Sequence, residues 1–184
     1  MTISPREPEI RTVSTRVVYE NRWMKVREDA IVRQDGQKGI YGVVDKKDFA
    51  LIAPFLGDQL VLVEQYRYPV EGRYWEFPQG SWEHVDIAPE ALARAELEEE
   101  TGYTADMIRH LGHLFAAYGF SNQGYDVFVA QGLSPTSTNL DVEEVGLISK
   151  PFPIVEVRAM ILDGRIKDAG TVAVFGLLQL HGLV

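Results

Sequence analysis

The chain has 184 residues, 18 Lys and Arg against 27 Asp and Glu, a net charge of −9 and no cysteine. The acidic balance argues against non-specific nucleic-acid binding and against an anionic membrane surface. The lack of thiols rules out disulfides, thiolate catalysis and cysteine-ligated metals. No run approaches the ~20 apolar residues needed to span a bilayer, and "MTISPREPEIRTVS" has no apolar signal core, so a soluble, cytoplasmic protein is expected.

Residues 1–11 read as a flexible tail, with two prolines and no periodicity. Short stretches rich in β-branched and aromatic residues follow: "TRVVYE", "MKVREDAIVR", "GIYGVV", "FALIAPFL" and "LVLVEQYRY". Asp35-Gly36 and Gly57-Asp58 are turn signals between them, and "DAIVRQDGQKGIYGVV" reads as a β-hairpin. Five strands before the first helix imply a small antiparallel extension, residues 12–45, leading into a central sheet in a domain spanning 46–184. After "YWEFPQG" the character changes. Pro89 suits a first helical turn, Ala91 to Leu97 are good helix formers, and Gly102 suits the stop. "YDVFVAQGL" and "VGLIS" return to strand, and "IVEVRAMILDG" has apolar residues at helical spacing before Gly164. "TVAVFGLLQL" fits a helix or a buried strand equally well. This order of elements predicts an α/β class, with helices flanking a mixed sheet.

The densest chemistry lies in "ARAELEEETGY", Ala93 to Tyr103. At 100° per residue, Glu90, Arg94 and Glu98 form one stripe with a cation between two acids, the pattern of a solvated surface ladder. Glu96, Glu99 and Glu100 share another face, and no Lys or Arg stands three or four positions from any of them. Three carboxylates so placed suit a hard cation such as Mg²⁺, which takes oxygen ligands together with substrate phosphates. A plain acidic surface is the competing explanation.

From Gly80 to Tyr103, "GSWEHVDIAPEALARAELEEETGY" resembles the Nudix box, the loop–helix–loop signature of Mg²⁺-dependent pyrophosphohydrolases. The closing "ELEEETGY" matches at Glu96, Leu97, Glu99, Glu100, Gly102 and Tyr103. The resemblance implies a Nudix fold, a mixed β-sheet sandwiched between helices, here with an N-terminal antiparallel β extension. It implies metal ligation by Glu96, Glu99, Glu100 and the Gln79 backbone carbonyl, with Mg²⁺ as cofactor and Mn²⁺ as a substitute. Two departures stand out: Ala95 occupies the usual arginine position, and the loop around His84 to Ala88 carries one extra residue, leaving Asp86 or Glu83 for its usual glutamate.

The flanks narrow the resemblance. "LVEQYRYPVEGRYWEFPQG" is similar to the segment before the box in ADP-ribose pyrophosphatases and related nucleoside-diphosphate-sugar hydrolases. "LDVEEV" is similar to their acidic loop, which would make Glu143 or Glu144 the general base, with Glu144 preferred, beside Glu100 in the catalytic set. In that subgroup the N-terminal sheet pairs with its twin, so a homodimer is expected. Arg67 and Arg73 are candidate phosphate contacts, since a guanidinium fork matches phosphate oxygens; surface ion pairs are the bland alternative. Trp75, alternating with Phe77, could stack on a base or pack in the core, and Tyr118 and Phe120 lie where a substrate loop is expected. The four histidines have no metal-ligand spacing and read as structural. The expected activity is Mg²⁺-dependent cleavage of ADP-ribose or a related nucleoside-diphosphate sugar. Its alternatives are a hydrolase of dinucleoside polyphosphates or RNA 5′ ends, suggested by "FPQG", and a catalytically silent ligand sensor, suggested by Ala95.

Overall fold

The computed structural model describes residues 8–81, 87–137 and 146–184. They fall into two compact units, one running through Lys47 and including Ala117–Gln123, the other formed by Asp48–Ala116 and Gly124–Val184.

The first unit is an antiparallel sheet of β1 (Ile10–Glu20), β2 (Lys25–Arg33) and β3 (Lys38–Asp45), in that spatial order. β2 and β3 form the expected hairpin, turned at Asp35-Gly36, where Gly36 takes φ 81° and Asp35 accepts the Gln37 N–H. A left-handed φ is the reason for glycine there. Residues 117–123 are tied to β3: the Val44 N–H donates to the Phe120 carbonyl, and the Tyr41 hydroxyl to that of Gly119.

The second unit holds a mixed sheet of β4 (Phe49–Leu56), β5 (Gln59–Arg67), β8 (Tyr103–Phe115), β9 (Gly124–Pro135) and β10 (Ile148–Pro153), in the spatial order β10-β5-β4-β9-β8. β4 and β9 are parallel, and the other pairs along this path are antiparallel. Helices cover both faces, which explains why "FALIAPFL" is apolar throughout instead of alternating. Ala50 and Ile52 face Leu92, Ala93 and Leu97 of α1 (Pro89–Thr101). Leu51, Ala53 and Phe55 face Val157 and Met160 of α2 (Ile154–Asp163), and Val174, Phe175 and Leu178 of α3 (Ala169–Leu180).

"TVAVFGLLQL" is therefore a helix. Its buried positions, Thr171, Val174, Phe175 and Leu178, recur at 3–4 residue spacing, and Asp168 caps it by accepting the Thr171 N–H at 2.7 Å. Among the described residues seven strands, not five, precede α1, because "GRYWE" pairs with β5 as β6 (Gly72–Glu76) and "QG" pairs with β4 as β7 (Gln79–Gly80). The prolines of β10, Pro151 and Pro153, are tolerated because that strand lies at the end of the sheet path. No helix among the described residues is long and apolar enough to cross a membrane.

Candidate active site

Helix α1 begins on Pro89 and ends where Gly102, at φ 70°, donates its N–H to the Glu98 carbonyl. Its inner face carries two carboxylates along with its apolar residues: Glu96 is 4% exposed and Glu100 1%. Burial of an ionised carboxylate is unfavourable unless polar groups meet it. Both acids are directed at β7. Glu100 accepts the Gln79 N–H at 2.9 Å. The Glu96 carboxylate lies over Gly80, so close that a Cβ there would stand 2.3 Å from its Oε2. Glu99 is half-buried, whereas Glu98 is exposed and receives a long contact from the Thr136 hydroxyl. Glu90 and Arg94 form the expected ion pair four residues apart, at 3.0 Å.

The five residues from Glu76 to Gly80 form a strip tied to four elements of the second unit, β5, α3, β4 and α1. Glu76 accepts hydrogen bonds from Arg67 and Gln65 of β5. The Phe77 N–H donates to the Thr171 hydroxyl of α3 at 2.9 Å. The Pro78 carbonyl accepts from Ile52 of β4 at 3.0 Å. Gln79 and Gly80 meet Glu100 and Glu96 of α1.

Arg67 pairs with the buried Glu76, while its own side chain stays 41% exposed. Arg73 is committed to Glu64, at 2.8 Å, and to the Gly146 carbonyl, at 2.7 Å. Trp75 packs edge-on against Phe152 beside the core that contains Phe77. Tyr118 and Phe120 belong to the first unit, and Tyr118 is 83% exposed. Glu143 and Glu144, with Glu83, His84 and Asp86, lie outside the described residues. His110 is hydrogen-bonded to Asp126 on the β8–β9 pair.

Sequence reasoning missed Glu76, Gly80, Asp168 and Thr171 as parts of this arrangement. The one local signal was "DAGT", an Asp three residues ahead of a Thr at a helix start. Burial pushes the Glu76 carboxyl above the usual carboxylate range, and the nearby Asp168 charge adds to this against the pull of Arg67 and Gln65. Burial, with Asp168 again contributing, also raises the Tyr125 hydroxyl.

The donor set suits a hard divalent cation: oxygen ligands on one helix face, directed at a strand whose backbone they already touch. Among the described residues, no three acidic or histidine side chains are grouped closely enough to hold such an ion by themselves. A complete coordination shell therefore needs oxygens beyond these side chains, as Mg²⁺ sites built on one or two carboxylates and substrate phosphates do.

Comparison with known proteins identifies the family. Residues 10–44 match the nucleoside diphosphate sugar hydrolase N-terminal domain, and residues 46–162 match the NUDIX domain. The chain is 33% identical to a methanol dehydrogenase activator of Bacillus methanolicus over 94% of both chains. It is 27% identical to an ADP-ribose pyrophosphatase of Mycobacterium tuberculosis, covering 96% of this chain and 86% of that one. With a GDP-mannose pyrophosphatase of Yersinia enterocolitica the identity is 30%, over 68% and 69%. A crystal structure of an ADP compounds hydrolase superposes with a TM-score of 0.82 at 23% identity, covering 98% of this chain and 100% of the other, which shows the shared fold. On the match to residues 46–162 and the relatives that span nearly its whole length, the chain belongs to the NUDIX domain family.

Proposed function

We propose that this protein is a divalent-cation-dependent pyrophosphohydrolase that cleaves the diphosphate link of ADP-ribose or a related nucleoside-diphosphate sugar, releasing a nucleoside monophosphate and a sugar phosphate. The observation that carries the reading is the burial of Glu96 and Glu100 against Gln79–Gly80. The pyrophosphatase relatives among its homologues support it.

Glu96, Glu99, Glu100 and the Gln79 carbonyl would hold the cation, Mg²⁺ with Mn²⁺ as substitute. When bound, such an ion neutralises diphosphate charge and lowers the pKa of a water. The residues of the chain do the rest. Glu76 holds one edge of the Arg67 guanidinium, and the opposite edge would meet a phosphate oxygen. Glu144, or its neighbour Glu143, takes the proton from the attacking water. Arg73 and Trp75 are secondary substrate contacts in this proposal. Residues 12–45 are assigned to homodimer formation, residues 46–184 to catalysis, and the cytoplasm is the expected compartment.

The test is incubation of purified protein with Mg²⁺ and ADP-ribose, GDP-mannose, UDP-glucose, diadenosine tetraphosphate or NADH, with products resolved chromatographically. Turnover of a nucleoside-diphosphate sugar is expected. Turnover confined to diadenosine tetraphosphate would overturn the substrate assignment, and inertness with ligand binding intact would make the protein a sensor. A second reading, activation of a dehydrogenase, follows from the name of the Bacillus methanolicus relative. Adding the protein to a methanol dehydrogenase assay tests it.

A further inference from the structure

Helix α3 lies beyond residues 46–162, the span matched by the NUDIX domain, yet its first turn reaches the strip that faces Glu96 and Glu100. Thr171 is fully buried, and both functions of its hydroxyl are committed. It donates to Asp168 Oδ2 at 2.8 Å, and it accepts the Phe77 N–H at 2.9 Å. A hydroxyl has one hydrogen to give, so the bond to Asp168 orients the oxygen lone pairs toward Phe77. The anchor itself is firm. Asp168 Oδ2 also accepts the Thr171 N–H, and a Cβ at Gly170 would stand 3.0 Å from Leu51 Cδ1, so the first turn of α3 is pressed onto β4. Phe77 precedes Gln79 by two residues, about 7 Å of extended chain. A shift at Phe77 is therefore transmitted to the backbone that Glu100 grips.

We infer that Thr171, oriented by Asp168, is a positioning residue for the reaction: from outside the matched domain it fixes the Phe77–Gln79 backbone against the carboxylates of α1. The part concerning the reaction rests on the hydrolase reading above; the part concerning the backbone does not.

Two readouts separate these. Thr171→Val replaces the hydroxyl by a methyl of similar size, and Thr171→Ser keeps it. In Thr171→Val, kcat for the nucleoside-diphosphate sugar is expected to fall about 10- to 100-fold, the scale of an ångström-sized misplacement. The Mg²⁺ concentration for half-activation should rise while KM changes little, and Thr171→Ser should restore both. Independently of turnover, amide hydrogen exchange across residues 77–80 should accelerate in Thr171→Val and return to the wild-type rate in Thr171→Ser. If Thr171→Val does not fold, Asp168→Ala leaves the hydroxyl in place but free to rotate, and it should show the same changes in smaller measure. Unchanged exchange at residues 77–80 would overturn the inference, as would equal losses in Thr171→Val and Thr171→Ser. Faster exchange in Thr171→Val with an inert wild-type enzyme would instead overturn the hydrolase reading and keep the backbone role.

Discussion

Gly80→Ala isolates the fit between strand β7 and helix α1. The φ of Gly80 lies outside the left-handed region, so its backbone accepts alanine without strain. The nearest atoms the added methyl would meet all belong to the Glu96 carboxylate, at 2.3 Å from Oε2, 2.5 Å from Cδ and 2.6 Å from Oε1. Ordinary contact begins near 3.4 Å, so the carboxylate must retreat by about 1 Å. For the fold this is a small change. The displaced atoms end a flexible side chain, and the gain of about 0.4–1 kcal/mol from a stiffer unfolded chain opposes the displacement. A net effect within about 1 kcal/mol corresponds to about 2–4 °C in Tm for a protein of this length. For a cation ligand the same displacement is large, and about 100-fold in kcat is expected. Loss of 1 kcal/mol from a stability of about 5–15 kcal/mol leaves the enzyme folded at 25 °C, so unfolding does not account for a 100-fold loss. Thermal unfolding by circular dichroism and Mg²⁺-dependent turnover are measured on the same sample. The double variant Gly80→Ala/Glu96→Gln should be no slower than Glu96→Gln alone, since both act through one carboxylate. Wild-type kcat in Gly80→Ala, or a loss of activity that tracks the loss of ellipticity, would refute the reasoning.

The other predictions concern neighbouring carboxylates and the cation. Glu100→Gln should lower kcat by about 100-fold or more with the fold retained, whereas Glu98→Gln, on the exposed face, should be nearly silent; equal losses would contradict the division of faces. Mg²⁺ at about 100 times its Kd should add about 2.7 kcal/mol, about 5–10 °C in Tm, and Glu96→Gln should shrink that shift. Glu76 has a raised pKa in the folded state, chiefly through burial, so folding disfavours its charged form. The stability it contributes relative to Glu76→Gln is therefore fully present below the ordinary glutamate value, about 4.3, and is lost as pH rises through the raised one. Urea unfolding from pH 4 to pH 8 should show the wild-type protein losing ground to Glu76→Gln; parallel curves would contradict the burial argument.

Local signals in the sequence were legible where one element could be read by itself. Pro89 and Gly102 bracket α1 as expected, and Asp35-Gly36 turns the β2–β3 hairpin. The division of α1 into an outer stripe and an inner face follows from residue spacing alone, because helical periodicity does not depend on the partner. What stayed hidden depends on partners distant in the chain. "TVAVFGLLQL" carries an apolar pattern compatible with two structures, and the Asp168 cap together with packing against β4 decides between them. "GRYWEFPQG" carries no sign that it divides between β5 and β4, since strand pairing is a property of two segments. Arg67 and Glu76 stand nine residues apart and meet across the β5–β6 pair, so the arginine's partner could not be named from its own neighbourhood.

Ala95 in the usual arginine position raised the question of what holds Glu96. Shape bears on that question as well as charge. Glu96 lies on a glycine, and the room left by the missing side chain of Gly80 sets how near the carboxylate approaches the strand. That arrangement works only if the strand itself does not move, because a carboxylate seated on mobile backbone gains no precision from the fit. The strip from Glu76 to Gly80 meets this requirement by drawing one anchor from each surrounding element: β5 at Glu76, α3 at Phe77, β4 at Pro78 and α1 at Gln79. Position on the page of the sequence conceals this, since Phe77 and Thr171 are 94 residues apart. The helix that carries the carboxylates is thus one part of the candidate site. Another is a five-residue segment whose value lies in being held still from four sides.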